Sequence, residues 1–351
     1  MYINDVAREF LIGDRQVGRD HPPLVVVEIG INHEGNLSVA KEMVDAALMS
    51  GAEVIKHQTH IPDKEMSVEA RNVIPGNSNQ SIYEIISRCA LSLEDESELA
   101  NYVRSKGLIY LSTPFSREAV DFLMSINVPA FKIGSGECNN YPFVEYVASQ
   151  GKPVILSTGM NSVQSITPSV EILEKHRVPY ALLHCTNLYP TPEKLIRLNS
   201  IQELSKFFPN AILGLSDHSI TNFPCFGAVA LGASILERHF TDSKKRPGPD
   251  IACSMDPIDL SELIIGSKTI HASLQGSKLP LKEEEVTAAF AFASVVAAKE
   301  LVEGEILTKD SIALRRPGNG DFGPKDFYAL IGKRVTKQVL DNHQISKSDI
   351  A

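Results

Sequence analysis

At 351 residues, 43% hydrophobic and 22% charged, the chain has the composition of a globular protein. Its length suits a barrel of about 250 residues with a compact appendage. The formal net charge of -9 makes nucleic acid and anionic membranes poor partners, since either needs an extended basic face, whereas an anionic small molecule fits if basic residues gather in one pocket.

The first twenty residues hold no apolar targeting core, and no run is long enough to span a membrane. Five dispersed cysteines without C-x-x-C spacing argue against a disulfide framework, and a reducing cytoplasm is expected. Residues 1–20 include "FLIGDRQVG", which has the turn residues of a hairpin that caps the bottom of the following domain. From Leu24 onward, eight short apolar runs alternate with amphipathic segments: "LVVVEIG", "AEVIKHQ", "LIYLST", "AFKIGS", "PVILST", "YALLHC", "AILGLS" and "SILERHF". Eight βα units favour a closed (β/α)8 TIM barrel over residues 21–278, and no G-x-G-x-x-G follows the first strand to support a Rossmann sheet. Residues 279–289 are polar and Pro-containing, as in a linker, and residues 290–351 read as a small domain of short strands and turns.

In such a barrel, the ends of the strands form the catalytic face. Polar residues recur there: Glu28, Lys56, Gln58, Thr113, Lys132, Ser135, Glu137, Ser157, His184, Asn187, Ser216, His218, Glu237 and His239. Lys56 and Lys132 lie in apolar strands, where a buried ammonium needs an anion or a carboxylate partner. With the hydroxyls of Thr113, Ser135, Ser157 and Ser216 they form a phosphate or carboxylate cradle; salt bridges to Glu28 or Glu137 are the plainer alternative. His218 and His239 close neighbouring strands and suit either a divalent transition metal with open positions or ordinary hydrogen bonding. Strand alternation turns His57 away from Lys56 and Gln58, so His57 and His60 are not read as ligands.

The stretches "EIGINHEGN", "EVIKHQTH", "STPFS", "KIGSGECNN", "ILSTGMNS", "LLHCTNLYPTP", "GLSDHS", "LERHFTD", "RPGPD" and "RRPGNGDF" resemble the bacterial N-acetylneuraminate (sialic acid) synthases, those of the meningococcal type in particular. The resemblance runs from about Phe10 to the end of the chain. It implies condensation of phosphoenolpyruvate with open-chain N-acetylmannosamine, with a divalent metal, manganese before cobalt or magnesium. It also implies a C-terminal antifreeze-like (SAF) domain exchanged within a homodimer. Matched to the family, Lys56, Thr113, Lys132, Ser135, Ser157, Asn187 and Ser216 take phosphoenolpyruvate, and His218 and His239 take the metal. Gln58, Asn77, Glu137, Tyr189, Asp250 and Phe290 surround the amino sugar, with Arg316 from the neighbouring subunit. Glu137 and Glu28 are the candidates for proton transfer, beside Lys56 and Lys132 as catalytic cations. The competing readings are a legionaminate or pseudaminate synthase, a Schiff-base aldolase using Lys56 or Lys132, and a non-catalytic carbohydrate-binding protein.

Overall fold

Apolar and β-branched residues fill Leu24–Gly30 almost without interruption, the signature of a parallel strand covered on both faces, and every residue of that segment is buried. In the computed structural model, which describes residues 9–75 and 79–351, the first two strands are β1 (Glu9–Ile12) and β2 (Arg15–Gly18), joined as an antiparallel hairpin. The next eight are β3 (Leu24–Gly30), β4 (Val54–Thr59), β5 (Ile109–Pro114), β6 (Phe131–Ile133), β7 (Val154–Ser157), β8 (Tyr180–Cys185), β9 (Ile212–Asp217) and β10 (Ile235–His239). They form one parallel sheet in the order β5-β4-β3-β10-β9-β8-β7-β6, with β5 and β6 side by side at its edges, so the barrel is nearly closed.

Two apolar layers hold it. Outward-facing strand residues such as Val27, Ile55 and Leu182 pack on helices such as Leu37–Met49 and Leu93–Ser105. Inside, the N-terminal halves of the strands contribute Leu24, Val26, Val54, Leu111, Ile155, Ala181 and Ile235, and the hairpin adds Phe10, Ile12 and Val17 to the same cluster. The hairpin thus plugs the barrel bottom with hydrocarbon, while the opposite ends of the same strands are polar.

Register sets that polar end. Glu28 pairs with Lys56 across β3 and β4, His239 with Glu28 across β10 and β3, and Glu237 with Ser216 across β10 and β9. A register shift between Glu28 and Gly30 bends the end of β3. Gly30 lies at φ 52°, and a Cβ there would stand 3.3 Å from both Glu28 Oε1 and Gln58 Nε2, so only glycine lets the chain turn this close to the site.

The chain divides into two units, Gln275 closing the first and Gly276 opening the second. The second has its own core around Val295, Leu301, Ile312 and Val335, with β11 (Ser294–Ala297) antiparallel to β12 (Ile312–Arg315). Residues 279–289, read as a linker, run into the helix Glu285–Ala291. Seven residues are too few for an amphipathic period to stand out in the sequence. Among the described residues, no helix is long and apolar enough to cross a membrane.

Candidate active site

Alternation along β4 sends Lys56 and Gln58 into the barrel and His57 out of it. The same rule brings Glu28, Thr113, Lys132, Ser157, Ser216, Glu237 and His239 inward, and the loops after the strands add Ser135, Glu137, Asn187, Tyr189, His218 and Asp250. All of these line one cavity of about 290 Å3. Asn77 lies outside the described residues, and Phe290 and Arg316 belong to the second unit. There the Gly318 N–H donates to the Ala289 carbonyl at 3.0 Å, tying the loop that carries Arg316 to the helix that carries Phe290. Ser294 Oγ, which donates to the Pro317 carbonyl at 2.7 Å, fixes the same loop.

The lysines are buried and do have carboxylate partners. Lys56 Nζ lies 2.7 Å from Glu28 Oε2 and 3.7 Å from Glu237 Oε1, and donates to Thr113 Oγ1 at 3.1 Å. Lys132 Nζ donates to Ser157 Oγ at 2.7 Å and to the Ile133 carbonyl at 3.0 Å, with Glu237 Oε1 at 3.7 Å. Glu237 is therefore the shared counter-ion of both ammonium groups, and Ser216 Oγ donates to it at 3.3 Å. The sequence places Glu237 at a strand end but gives it no role. Its signal is its spacing two residues before His239, which puts both on the inner face of β10.

The two lysines are not equivalent. Burial alone would lower Lys56, but Glu237 and Glu28 hold it above its ordinary value. Burial keeps Lys132 below its ordinary value despite Glu237, with Lys56 adding repulsion. Burial also raises Glu137, whose Oε2 is enclosed without a hydrogen-bond partner, so this carboxyl retains a proton to higher pH than an exposed one. Glu137 is not the partner of Lys56.

On the opposite wall, His218 Nδ1 lies 2.9 Å from the Thr186 carbonyl. That places the ring proton on Nδ1 and leaves a lone pair on Nε2. The rings of His218 and His239 are 5.5 Å apart, and Tyr189 packs on His218 at 4.0 Å. His239 Nδ1 is buried without a hydrogen-bond partner, 3.6 Å from Asp250 Oδ2. Two neighbouring imidazoles with nitrogen lone pairs fit a divalent metal; among the described residues no group of three or more His, Cys, Asp and Glu forms a ready-made cage.

His60 also lines the cavity, but Gln58 and Glu65 occupy both its ring nitrogens at 3.0 Å. His184 faces outward and donates to the Ile196 carbonyl at 2.6 Å. A larger cavity of about 490 Å3 lies beyond Thr158 and Cys185, against Met160, Arg197 and Phe207. It contains neither lysine and neither of the two histidines, so the smaller cavity is the candidate active site.

The class is a (β/α)8 barrel that concentrates cations, carboxylates and imidazoles at its strand ends and carries a second small unit. Residues 43–278 match the NeuB family and residues 292–351 the SAF domain, so the chain belongs to the NeuB family. It is 38% identical over 311 residues to an uncharacterised protein of Methanocaldococcus jannaschii, covering 88% of this chain and 89% of that one. It is 34% identical over 328 residues to the N,N'-diacetyllegionaminic acid synthase of Legionella pneumophila, covering 89% and 90%. The crystal structure of an N-acetylneuraminic acid (sialic acid) synthetase from Leptospira borgpetersenii superposes with a TM-score of 0.72 at 30% identity, covering 80% of this chain and 94% of that chain. These relatives place the chain among synthases of the sialic acid type.

Proposed function

We propose that the protein condenses phosphoenolpyruvate with an open-chain N-acetylated amino sugar, N-acetylmannosamine in the first instance, to give N-acetylneuraminate and phosphate. The observation that carries this is the pair of buried lysines facing two histidines across one polar cavity. A substrate bearing both phosphate and carboxylate can pair with these two ammonium groups in addition to Glu28 and Glu237.

C3 of the enol attacks the aldehyde carbon, forming the carbon–carbon bond, and the aldehyde oxygen takes a proton. Water then adds at C2, and the resulting tetrahedral intermediate expels phosphate by cleavage of the C2–O bond. Lys56 and Lys132, with Thr113, Ser135, Ser157, Asn187 and Ser216, hold the phosphate and carboxylate and offset their charge. Glu137, protonated more readily than an ordinary carboxyl because it is buried, is the proton donor to the aldehyde oxygen. Glu28 keeps Lys56 in place and fixes the Gln58 amide, which donates to Glu28 Oε1 at 2.6 Å. A divalent metal, manganese by preference, held by His218 and His239 would act as a Lewis acid on the aldehyde oxygen.

Gln58, Asn77, Glu137, Tyr189 and Asp250 form the sugar side in this reading. Phe290 and Arg316 join them from the small unit of a partner chain in a domain-swapped homodimer. The resemblance of "EVIKHQTH" and "RPGPD" to N-acetylneuraminate synthases supports N-acetylmannosamine. The 34% identity to a legionaminic acid synthase supports a second reading, in which a diacetylated amino sugar is used. Phosphate release from phosphoenolpyruvate across a panel of N-acetylated sugars ranks the two. Release that needs no sugar would overturn both.

A further inference from the structure

His57 points out of the barrel, yet it is almost fully buried there, 3.1 Å from His33 and 3.3 Å from Glu96. The hydrogen bonds define the tautomers. The Gly35 N–H donates to His33 Nδ1 at 3.2 Å, so the ring proton of neutral His33 is on Nε2, 3.1 Å from His57 Nε2. That nitrogen of His57 must accept, which puts its own proton on Nδ1, 3.3 Å from Glu96 Oε1, in ion-pair range but outside hydrogen-bond geometry. Glu96, from helix Leu93–Ser105, also accepts from the hydroxyls of Thr59 at 2.6 Å and Tyr110 at 2.8 Å. The result is a run of polar contacts, two hydrogen bonds and one close charge contact, from the loop after β3 to a buried carboxylate behind the barrel wall.

That loop reaches the substrate side. Asn32, next to His33, donates from Nδ2 to the Phe240 carbonyl at 3.1 Å and to Ser254 Oγ at 2.8 Å, and its Oδ1 accepts from the Asp250 N–H at 3.2 Å. Glu96 and His57 thus hold His33 on this loop, and its sequence neighbour Asn32 holds Asp250, which lies 3.6 Å from His239.

We infer that His57 is a positioning residue for the sugar half of the site, anchoring through His33 the loop by which Asn32 fixes Asp250. This rests on the proposed condensation only for the identity of the second substrate. A buried polar group stripped of its partner leaves the others unsatisfied, so the chain is held together or lost as a unit.

The test compares His57→Leu, which breaks the chain, with His57→Gln, whose amide can accept from His33 and donate to Glu96. We expect His57→Leu to raise KM for the amino sugar about tenfold or more while KM for phosphoenolpyruvate stays within about twofold. His57→Gln should recover most of that loss. Asn32→Ala should match the Leu variant, and the double variant should lose little more than either alone. Equal loss on both substrates, no loss, or equal loss in the Leu and Gln variants overturns the inference. Imidazole nitrogen NMR of the wild-type protein gives an independent reading should the Leu variant not fold. His33 protonated at Nε2 and His57 at Nδ1 is the expected pair, and any other pair overturns the chain. If no sugar supports turnover of the wild-type protein, the functional reading fails. The same tautomers, together with loss of backbone protection at Asp250 in hydrogen exchange of Asn32→Ala and His57→Leu, still decide the positioning role.

Discussion

Glu237 lies at the same distance from both lysine ammonium groups and has one oxygen buried without a hydrogen-bond partner. Removing its charge leaves two cations with only Glu28 close by. Glu237→Gln is therefore expected to lose about 3–5 kcal/mol of stability, as when a buried ion pair is broken. Phosphate or phosphoenolpyruvate should raise its Tm more than that of the wild-type protein, because the anion replaces the missing charge. Equal shifts in thermal melts would show that Glu237 does not balance the lysines. Burial, with repulsion from His57, pushes the His33 imidazole down to about 3. In the unfolded chain it takes up a proton near pH 6.5, so the stability of the neutral native form is lost progressively as pH falls from about 6.5 toward 3. Each pH unit in that window costs about 1.4 kcal/mol for this one group. Urea denaturation at descending pH should show a slope shallower by about one proton in His33→Gln. The inward side chains of the strands were legible from alternation alone. The partnerships were not: Glu237 bridges residues more than a hundred positions away, and the His33–His57–Glu96 chain joins three separate elements that no local period connects.

At the scale of elements, all eight barrel strands could be read from the sequence, because a doubly covered parallel strand shows as an uninterrupted apolar run. Helix Glu285–Ala291 escaped because it is short and follows a run of charges. The turn after β7 had to be seen in three dimensions. The Gly159 N–H donates to Ser135 Oγ at 3.0 Å, and a Cβ on Gly159 would lie 1.8 Å from Asn187 Oδ1. Gly159→Ala must displace Asn187, which the functional reading assigns to phosphoenolpyruvate. We expect a loss of roughly tenfold or more in kcat/KM for that substrate, measured by steady-state kinetics, with the fold intact. The hairpin gives the opposite result. Ile12 is fully buried in the barrel-bottom cluster, far along the strands from the polar end. Ile12→Ala should cost about 2–5 kcal/mol of stability in denaturant titration and leave kcat of the folded protein nearly unchanged.

For the whole molecule, the strands separate two tasks, with hydrocarbon at one end of the barrel providing stability and charge at the other providing chemistry. Arg316→Ala mixed with Lys132→Ala should regain activity through heterodimers if one chain completes the other's site. No recovery despite demonstrated subunit exchange would count against the swap. Chelation should abolish turnover and manganese restore it, as read by phosphate release. Phosphoenolpyruvate carrying a heavy oxygen isotope at the bridge between C2 and phosphorus reports both the condensation and the bond that breaks. Phosphate is expected only when the amino sugar is present, in equal amount with the condensed product, and still carrying the heavy oxygen. Phosphate without the label, or labelled phosphate released with no sugar consumed, would contradict the proposed condensation.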